Sequence, residues 1–246
     1  MSDAAAARRA LDLLLENDGP ALRANLPPGF ADAAERYVEL LLEANTRVNL
    51  TRIVDPAQVA RFHLLDALSA LPVLDTLVPV RALDLGSGGG VPGIVLAIAR
   101  PDVSWTLVDA ERRKADAMRG FVDALRIGNV TVVAERAEIL GRDAAYREQF
   151  DLVAARACAV LPVLAEYALP LLRLGGALVA WKGPIRPDEV RAGRAAGSDL
   201  GGGALELHPT GIPALGDHQF VMMRKVDATP DRFPRRPGQP TRRPLG

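Results

Sequence analysis

The sequence has few of the residues that build disulfides and metal sites. Its one cysteine, Cys158, excludes an internal disulfide framework and an all-cysteine zinc site. The three histidines, His63, His208 and His218, lie far apart and lack the spacing of metal ligands. We therefore predict a protein without a bound metal that works in a reducing environment.

Long hydrophobic runs and a net charge are also lacking. Charged residues or prolines interrupt every apolar stretch well short of a membrane span, and Asp12, Glu16 and Asp18 break up the N-terminal leucines, which argues against a secretory signal. The formal net charge is zero, so binding to a polyanion would depend on local positive patches. These absences predict a soluble, cytoplasmic protein that does not engage a membrane.

The hydrophobic pattern divides the chain into three regions. Residues 1–75 carry apolar residues at helical spacing and are predicted to form a helical extension. Residues 76–226 alternate short apolar strands with helices, which predicts an α/β domain with a doubly wound, mostly parallel sheet. Residues 227–246 are rich in proline and arginine and are expected to be a solvated basic tail without a core. The predicted strands lie at 80–85, 104–109, 130–134, 151–154, 177–181, 205–207 and 219–224, with helices at 93–100, 112–125 and 163–172 and a glycine-rich surface connection at 197–203.

A glycine-rich loop follows the first predicted strand. From Asp84 to Gly90 it has the form D-x-G-x-G-x-G, at the point where a strand should turn into a helix. A dinucleotide fingerprint would need a glycine at Val91, so an NAD-binding loop is disfavoured. The form matches the loop that wraps the methionine part of S-adenosylmethionine in Rossmann-like class I methyltransferases. It predicts Asp84, Gly86 and Gly88 as cofactor-binding residues.

Two further positions point to the same cofactor. Asp109 ends the second predicted strand, where a carboxylate can accept hydrogen bonds from both ribose hydroxyls and can also cap the next helix. Ala137 and Glu138 follow the third strand, where folds of this kind contact the adenine ring. Taken alone, a glutamate at this position is more often exposed to solvent.

With these residues in place, the chain resembles the RsmG (GidB) family, enzymes that methylate N7 of a guanine in 16S ribosomal RNA. This resemblance implies S-adenosylmethionine as cofactor and 16S rRNA or the small ribosomal subunit as partner. We separately expect a monomer, although no motif in the sequence indicates the oligomeric state. It also implies that Gly86, Val91, Ala137, Glu138 and Arg156 hold the cofactor. The motifs that carry it, in chain order, are Asn45-x-x-x-Asn49-Leu-Thr51, Asp55-Pro56, His63-Leu-Leu-Asp66, Gly86-Ser-Gly-Gly-Gly-Val-Pro-Gly93, Arg136-Ala-Glu138, Arg156-Ala157 and Lys182-Gly183.

Guanine N7 has an in-plane lone pair and no proton, so its attack on a sulfonium methyl group needs alignment and exclusion of water rather than a general base. Arg156, just past the fourth strand, is predicted to bind guanine O6, a phosphate or the cofactor carboxylate. Lys182, at the end of the fifth strand, is predicted to neutralise an RNA phosphate. We take these two as the candidate catalytic residues, and expect His63 to be mainly structural.

Three alternatives follow from the residues. Cys158 lies just after the fourth strand, where a thiolate could attack cytosine C6 for methylation at C5, although the usual neighbouring proline is absent. A non-catalytic module that keeps the fold and senses a nucleotide is a second alternative. A nicotinamide-dependent dehydrogenase is the third, and Val91 argues against it.

Overall fold

The computed structural model describes residues 2–246 and has one central sheet of seven strands in the order β3-β2-β1-β4-β5-β7-β6. The first five strands pair in parallel, and β7 runs antiparallel between β5 and β6. The predicted doubly wound, mostly parallel sheet is therefore confirmed. The strands are β1 Arg81–Leu85, β2 Ser104–Asp109, β3 Val130–Ala134, β4 Phe150–Arg156, β5 Leu172–Lys182, β6 Gly202–Pro209 and β7 Gln219–Lys225.

Helices cover both faces of this sheet because side chains alternate along its buried strands. In β1, Ala82 joins a core formed with the helices before and after the loop, whereas Leu83 and Leu85 join a core on the opposite face. The helices are α1 Asp3–Asn17, α2 Pro20–Ala24, α3 Phe30–Asn45, α4 Pro56–Val59, α5 Asp66–Leu68, α6 Leu71–Leu77, α7 Gly93–Ala99, α8 Arg112–Leu125, α9 Ala137–Leu140, α10 Leu161–Ala168, α11 Pro187–Asp199 and α12 Gln239–Arg242. None within residues 2–246 is long and apolar enough to cross a bilayer.

The N-terminal helices share a core with the sheet domain. Tyr37, Val38 and Leu41 of α3 are fully buried and belong to the same apolar cluster as Ile94 of α7. The Tyr37 hydroxyl also donates a hydrogen bond to the carbonyl of Gly89, at 2.8 Å. The helical extension is thus part of the wall behind the glycine loop.

One turn in this region is unusual. The helix predicted to begin at Asp55-Pro56 does so, with the Asp55 side chain accepting from the Gln58 amide at 3.0 Å. Between α4 and α5 the chain then has π-helical hydrogen bonding over Ala60–Leu65. Single turns of this kind are rare and occur often at functional sites. This one carries Phe62 and His63.

The predicted glycine-rich connection at 197–203 is wrong. Gly197 lies in α11 and Gly202 lies in β6. A Cβ atom at either position would come within 2.4 Å of the Met223 side chain. Glycine is used here for close packing of helix and strand, which the sequence alone does not separate from a flexible loop. The predicted helix at 163–172 also ends earlier, because Leu172 already belongs to β5.

The expected solvated tail is wrong as well. Phe233 is buried and joins the core that also contains Leu140 and Phe150. Arg235 forms a two-pronged ion pair with Glu166, a side chain with no exposed surface. Composition could not predict this, because the segment is anchored by a few contacts with residues about 70 to 100 positions earlier. We call residues 227–246 the C-terminal strap.

Candidate active site

The glycine loop begins where β1 ends and leads into α7. Gly86 has φ +72°, a conformation that side chains strongly disfavour. A Cβ atom there would also lie 2.9 Å from Cys158 Sγ. Both constraints make glycine necessary at position 86, where the loop packs closely against Cys158.

Asp84 fixes the start of α7 from within the core. Its side chain is 1% exposed, and Oδ2 accepts a hydrogen bond from the Gly93 amide at 2.9 Å. Oδ1 is buried and has no hydrogen-bond partner among the described residues. Burial raises the pKa of this carboxyl to about 6. Asp84 is a structural anchor of the loop that retains one unused acceptor oxygen.

Asp109 ties the glycine loop to the end of β2. Its Oδ2 accepts from the Gly88 amide at 2.9 Å, and its Oδ1 accepts from the Glu111 amide at 2.8 Å, just before α8. The predicted role beside a helix start is therefore present. Each carboxylate oxygen still has a second lone pair, and Asp109 lines a cavity, so a ligand hydroxyl can be bound in addition.

Two small cavities meet at Gly86. The first, which we call the loop cavity, has a volume of about 170 Å³ and includes Gly88, Val91 and Arg156 in its lining. The second, the Glu138 cavity, has about 190 Å³ and includes Asp109, Ala137 and Glu138. Seven of the eight positions predicted to bind cofactor thus line one of these two cavities, and Asp84 lies beneath them.

Glu138 is buried in its cavity wall rather than solvated. Its side chain is 2% exposed, and Oε1 accepts from Arg136 at 3.1 Å and from the Gly238 amide of the strap at 2.8 Å. Burial opposes ionisation of this carboxyl, but the hydrogen bonds outweigh it and the pKa lies below its usual value. Glu138 is therefore a fixed anionic acceptor at the edge of the sheet.

A third and larger space, of about 460 Å³, opens beside the loop cavity, and we call it the Trp181 cavity. Its walls come from β4, β5, the π-helical turn and the loop before β7. Thr51, His63, Arg156 and Ala157 line both it and the loop cavity. Its further lining residues are Arg52, Ile53, Phe62, Asp66, Trp181, Lys182, Gly183 and His218.

Arg156 stands between these two spaces and is held by the π-helical turn. Nη1 donates to the Phe62 carbonyl and lies 3.2 Å from Asp66 Oδ2, while Nη2 lies 3.2 Å from His63 Nδ1. Its side chain is 19% exposed. The guanidinium is thus oriented from one side by main-chain and side-chain acceptors, and its exposed edge faces the cavities it lines.

His63 is the neutral link in this network. Burial, followed by the nearby charge of Arg156, lowers its pKa to about 4. A guanidinium can only donate, so Nδ1 must accept from Arg156 and Nε2 must carry the proton. That proton points to Thr51 Oγ1 at 2.8 Å. Both ring nitrogens are engaged, which agrees with the mainly structural role expected for His63.

Asp66 and His218 were not singled out as site residues by the sequence analysis. Asp66 is 1% exposed and bonds Arg156 through Oδ2 and His218 Nδ1 through Oδ1, at 2.9 Å. Its main-chain carbonyl accepts from the Trp181 indole at 2.8 Å. Asp66 belongs to the motif His63-Leu-Leu-Asp66 quoted above, so the sequence did contain a signal for its role in the site. His218 is 152 positions away, and nothing local indicates the pairing.

Lys182 lies at the end of β5 as predicted, but its charge is partnered. Nζ donates to the Ala159 carbonyl and to Glu189 Oε1, both at 2.9 Å. The side chain is 19% exposed and lines the Trp181 cavity. The ammonium group therefore ties α11 to the loop that follows β4, and only part of it faces the cavity.

Cys158 borders the Glu138 cavity, against Gly86. It is reached by solvent, but protein atoms surround the thiol on most sides. This burial, with the negative charges of Asp84 and Asp109, raises its pKa to about 11. A thiol of this kind is protonated at neutral pH and is a poor nucleophile. The raised pKa of this thiol disfavours the cytosine C5 alternative.

The arrangement of these cavities agrees with the protein family that the chain resembles. Residues 31–209 match the family model GidB, described as rRNA small subunit methyltransferase G. The chain belongs to this family. The resemblance stated from the motifs is therefore confirmed, together with the class of enzyme that it implied.

Members of the family with this name match most of the chain. The protein named ribosomal RNA small subunit methyltransferase G from Deinococcus deserti is 44% identical over 84% of this chain and 85% of its own length. The one from Symbiobacterium thermophilum is 39% identical over 94% of this chain and 97% of its own length.

Solved structures with lower identity support the fold alone. A putative O-methyltransferase from Klebsiella pneumoniae has a TM-score of 0.52 at 16% identity, covering 85% of this chain and 96% of that one. The O-methyltransferase TomG from Streptomyces achromogenes, in complex with SAM, has a TM-score of 0.51 at 18% identity, covering 78% and 90%. The predicted class I methyltransferase fold is confirmed.

Proposed function

We propose that this protein transfers a methyl group from S-adenosylmethionine to N7 of a guanine in 16S rRNA. The observation that carries the proposal is the position of Arg156, which lines both the loop cavity and the Trp181 cavity. A donor in the first space and a base in the second would meet at this guanidinium. The family relation supports the same reaction, since its members are named for small-subunit rRNA.

The residues present fit the proposed cofactor. Gly86 lines both the loop cavity and the Glu138 cavity, so the centre of the molecule can pass close to it, and the Glu138 cavity with Asp109 suits a ribose and an adenine amino group. The unused buried oxygen of Asp84 suits a water that bridges to a cationic amino group. When bound, S-adenosylmethionine supplies a sulfonium methyl group, and Gly86, Gly88, Val91, Asp109, Ala137 and Glu138 would hold it.

The Trp181 cavity is the proposed acceptor site. It is large enough for one base and combines aromatic walls, Phe62 and Trp181, with the exposed edge of Arg156. A guanidinium donates well to guanine O6, the atom beside N7 on the same edge of the base. Lys182 would contribute part of its charge toward a phosphate.

The groups around the Trp181 cavity also fit a reaction that needs no general base. Asp66 is committed to Arg156 and His218, and His63 has both nitrogens engaged and a low pKa. A guanine N7 has no proton to lose, so such a site is sufficient for alignment with water excluded. Methylation of an exocyclic amine would call for an acceptor aimed at that amine, and the carboxylate and the imidazole that line this cavity, Asp66 and His63, already have hydrogen-bond partners.

The test is methyl transfer to ribosomal RNA from cells that lack the protein. Small subunits and naked 16S rRNA are each incubated with the protein and methyl-labelled S-adenosylmethionine, and the labelled nucleotide is mapped. We expect one labelled guanine, sensitive to the cleavage chemistry specific for N7-methylguanine. Label in a cytosine would replace the proposal by the cytosine C5 reaction. Cofactor binding without any label would favour the non-catalytic alternative.

A further inference from the structure

The C-terminal strap lies outside residues 31–209, the part matched by the family model, yet it packs beside the proposed cofactor site. Arginines anchor it from two sides, because some belong to the strap and others to the segment after α9 on which the strap packs. Arg147 donates to the carbonyls of Thr229 and Phe233, at 2.7 and 2.9 Å. Arg142 donates to the carbonyls of Arg232 and Pro234, at 2.9 and 2.8 Å. The main chain of the strap is thereby fixed to the segment after α9.

The strap contributes one buried charge of its own. The Arg235 guanidinium donates to Glu166 Oε1 and Oε2 at 2.9 and 2.5 Å, and the Arg235 amide donates to the same carboxylate at 2.8 Å. Glu166 has no exposed surface, and Arg235 is 18% exposed. Paired and hydrogen-bonded charges of this kind hold a segment in one position, because breaking them leaves a buried charge alone.

Three residues beyond this anchor, the strap contacts the wall of the Glu138 cavity. The Gly238 amide donates to Glu138 Oε1 at 2.8 Å, and the Thr241 hydroxyl lies 3.0 Å from the Tyr167 hydroxyl. Glu138 and Tyr167 both line that cavity. Since each strap contact uses one polar group of a lining residue, it fixes the direction in which the rest of that side chain points.

We infer that the strap positions Glu138 and Tyr167 for binding the adenosine part of the cofactor, with Arg235 as the positioning residue that holds the strap in place. The inference rests on the proposed function only in assigning the Glu138 cavity to adenosine. The inference predicts that the strap, which lies outside the part matched by the family model, sets cofactor affinity. The methyl-transfer step should not depend on the strap, because Arg235 and Gly238 do not line the loop cavity or the Trp181 cavity.

The experiment compares Arg235→Ala with Arg236→Ala. The two residues are adjacent and each change removes one positive charge. Arg236 is exposed, however, and among the described residues only its main-chain carbonyl is hydrogen-bonded, to the Gln239 amide. Affinity for S-adenosylhomocysteine and for 5′-methylthioadenosine is measured by calorimetry. We expect Arg235→Ala to weaken both ligands by about tenfold, the effect of one misplaced hydrogen-bonding group. Arg236→Ala should match the wild type.

Kinetics supply a readout that a general loss of structure would not give. Arg235→Ala should raise KM for S-adenosylmethionine while turnover at saturating cofactor stays unchanged, as expected for an interaction made equally in ground and transition states. The double variant Arg235→Ala with Glu166→Ala also removes the buried carboxylate that Arg235→Ala alone would leave unpaired. It should therefore keep the fold and show the same loss of affinity for both ligands. Arg235→Lys should restore part of the affinity.

Unchanged affinity for both ligands in a folded Arg235→Ala protein, with protease cleavage proving that the strap is released, would overturn the inference. So would weakening of S-adenosylhomocysteine alone, since the effect would then lie on the amino-acid part. If the wild type binds neither ligand, the proposed function fails instead. The two failures are distinct because the binding measurement uses no RNA.

Discussion

Arg156 Nη1 lies 3.2 Å from Asp66 Oδ2, and this contact joins the end of β4 to the helical region that precedes the sheet. The pair spans 90 positions of the chain, and Asp66 is 2% exposed at its side chain. Because Asp66 also pairs with His218, one carboxylate orients residues from two other segments of the chain. The wall of the Trp181 cavity is built around this shared anion.

The first prediction concerns Arg156. Replacement by alanine should lower turnover by about a hundredfold even at saturating RNA and cofactor, because the base loses a donor that is aligned in advance. It should also lower the free energy of unfolding by about 2–3 kcal/mol, since Asp66 loses one of its two partners. Arg52→Ala is the matched control, because Arg52 lines the same cavity but is exposed. Steady-state kinetics and denaturant unfolding measure both effects.

A different result would reassign the residue. If Arg156→Ala only raised KM for S-adenosylmethionine, the guanidinium would belong to the cofactor carboxylate. Arg156→Lys helps to separate the roles, since lysine keeps the charge but loses the planar fork. We expect Arg156→Lys to keep most of the cofactor affinity and little of the turnover.

The second prediction is a pH dependence of stability from His218. The hydrogen bond with Asp66 raises the pKa of His218 above its usual value, against burial and the charges of Arg156 and Arg61. The folded protein therefore binds this proton more tightly than the unfolded chain does. The resulting stabilisation is complete below the unfolded pKa, about 6.5, and is lost as pH rises through the folded-state pKa.

His218→Gln tests this prediction. The difference in free energy of unfolding between wild type and His218→Gln should be larger at about pH 5.5 than at about pH 8.5. His208→Gln is the control, since His208 is an exposed histidine beside Glu206. A difference that does not change with pH would mean that the Asp66 contact contributes nothing through protonation.

Asp84 gives a third prediction, on cofactor affinity. Its pKa is raised by burial to about 6, so the carboxyl gains a proton as pH falls through that value. Cationic S-adenosylmethionine should prefer the ionised form and bind about fourfold more weakly at pH 5.5 than at pH 7.5. Asp84→Asn keeps the acceptor for the Gly93 amide and should flatten this profile.

The ligand provides its own control. Neutral 5′-methylthioadenosine lacks the sulfonium charge and the amino-acid part with its ammonium group, so its affinity should be independent of pH over the same range. If both ligands weakened equally in acid, the effect would arise from partial unfolding or from the adenosine part that both ligands share, and Asp84 would have no role in binding.

The elements of the sheet could be predicted because the information is local. Runs of buried apolar residues place β2 and β3 at their observed bounds, and the D-x-G-x-G-x-G form places the loop. Contacts between distant segments could not be predicted. Neither the Asp66–His218 pair nor the Gly238–Glu138 hydrogen bond has a signature in sequence spacing, and the arginines of the strap look the same whether buried or exposed.

Cys158 supplies the fourth prediction. Its pKa, raised to about 11, leaves a protonated thiol at neutral pH. Cys158→Ala should therefore keep most of the turnover, and iodoacetamide should react with the wild type slowly at about pH 7.5. Loss of turnover in a folded Cys158→Ala protein that still binds cofactor would restore the cytosine reaction. Trapping with RNA that contains fluorinated cytosine would then identify the adduct.

The last prediction concerns RNA binding by the exposed face of the strap. Its remaining arginines, Arg232, Arg236, Arg242 and Arg243, are all exposed to solvent, in a protein whose total charge is zero. They can form the local positive field that a polyanion requires. Truncation after Val226 is a poor test, because it also removes Phe233 and the Arg235–Glu166 pair.

Double substitution by glutamine separates charge from packing. Arg242→Gln with Arg243→Gln should weaken RNA binding, and the slope of log affinity against log salt should fall by about 1 to 1.5, as expected for two lost phosphate contacts. Turnover at saturating RNA should be unchanged, since phosphate contacts position the RNA without reading the base. Arg9→Gln with Arg36→Gln removes the same charge from the exposed face of the N-terminal helices and is the control. Equal slopes for the two double variants would mean that the strap exerts only a general charge effect, and its exposed arginines would then have no specific part in binding the RNA.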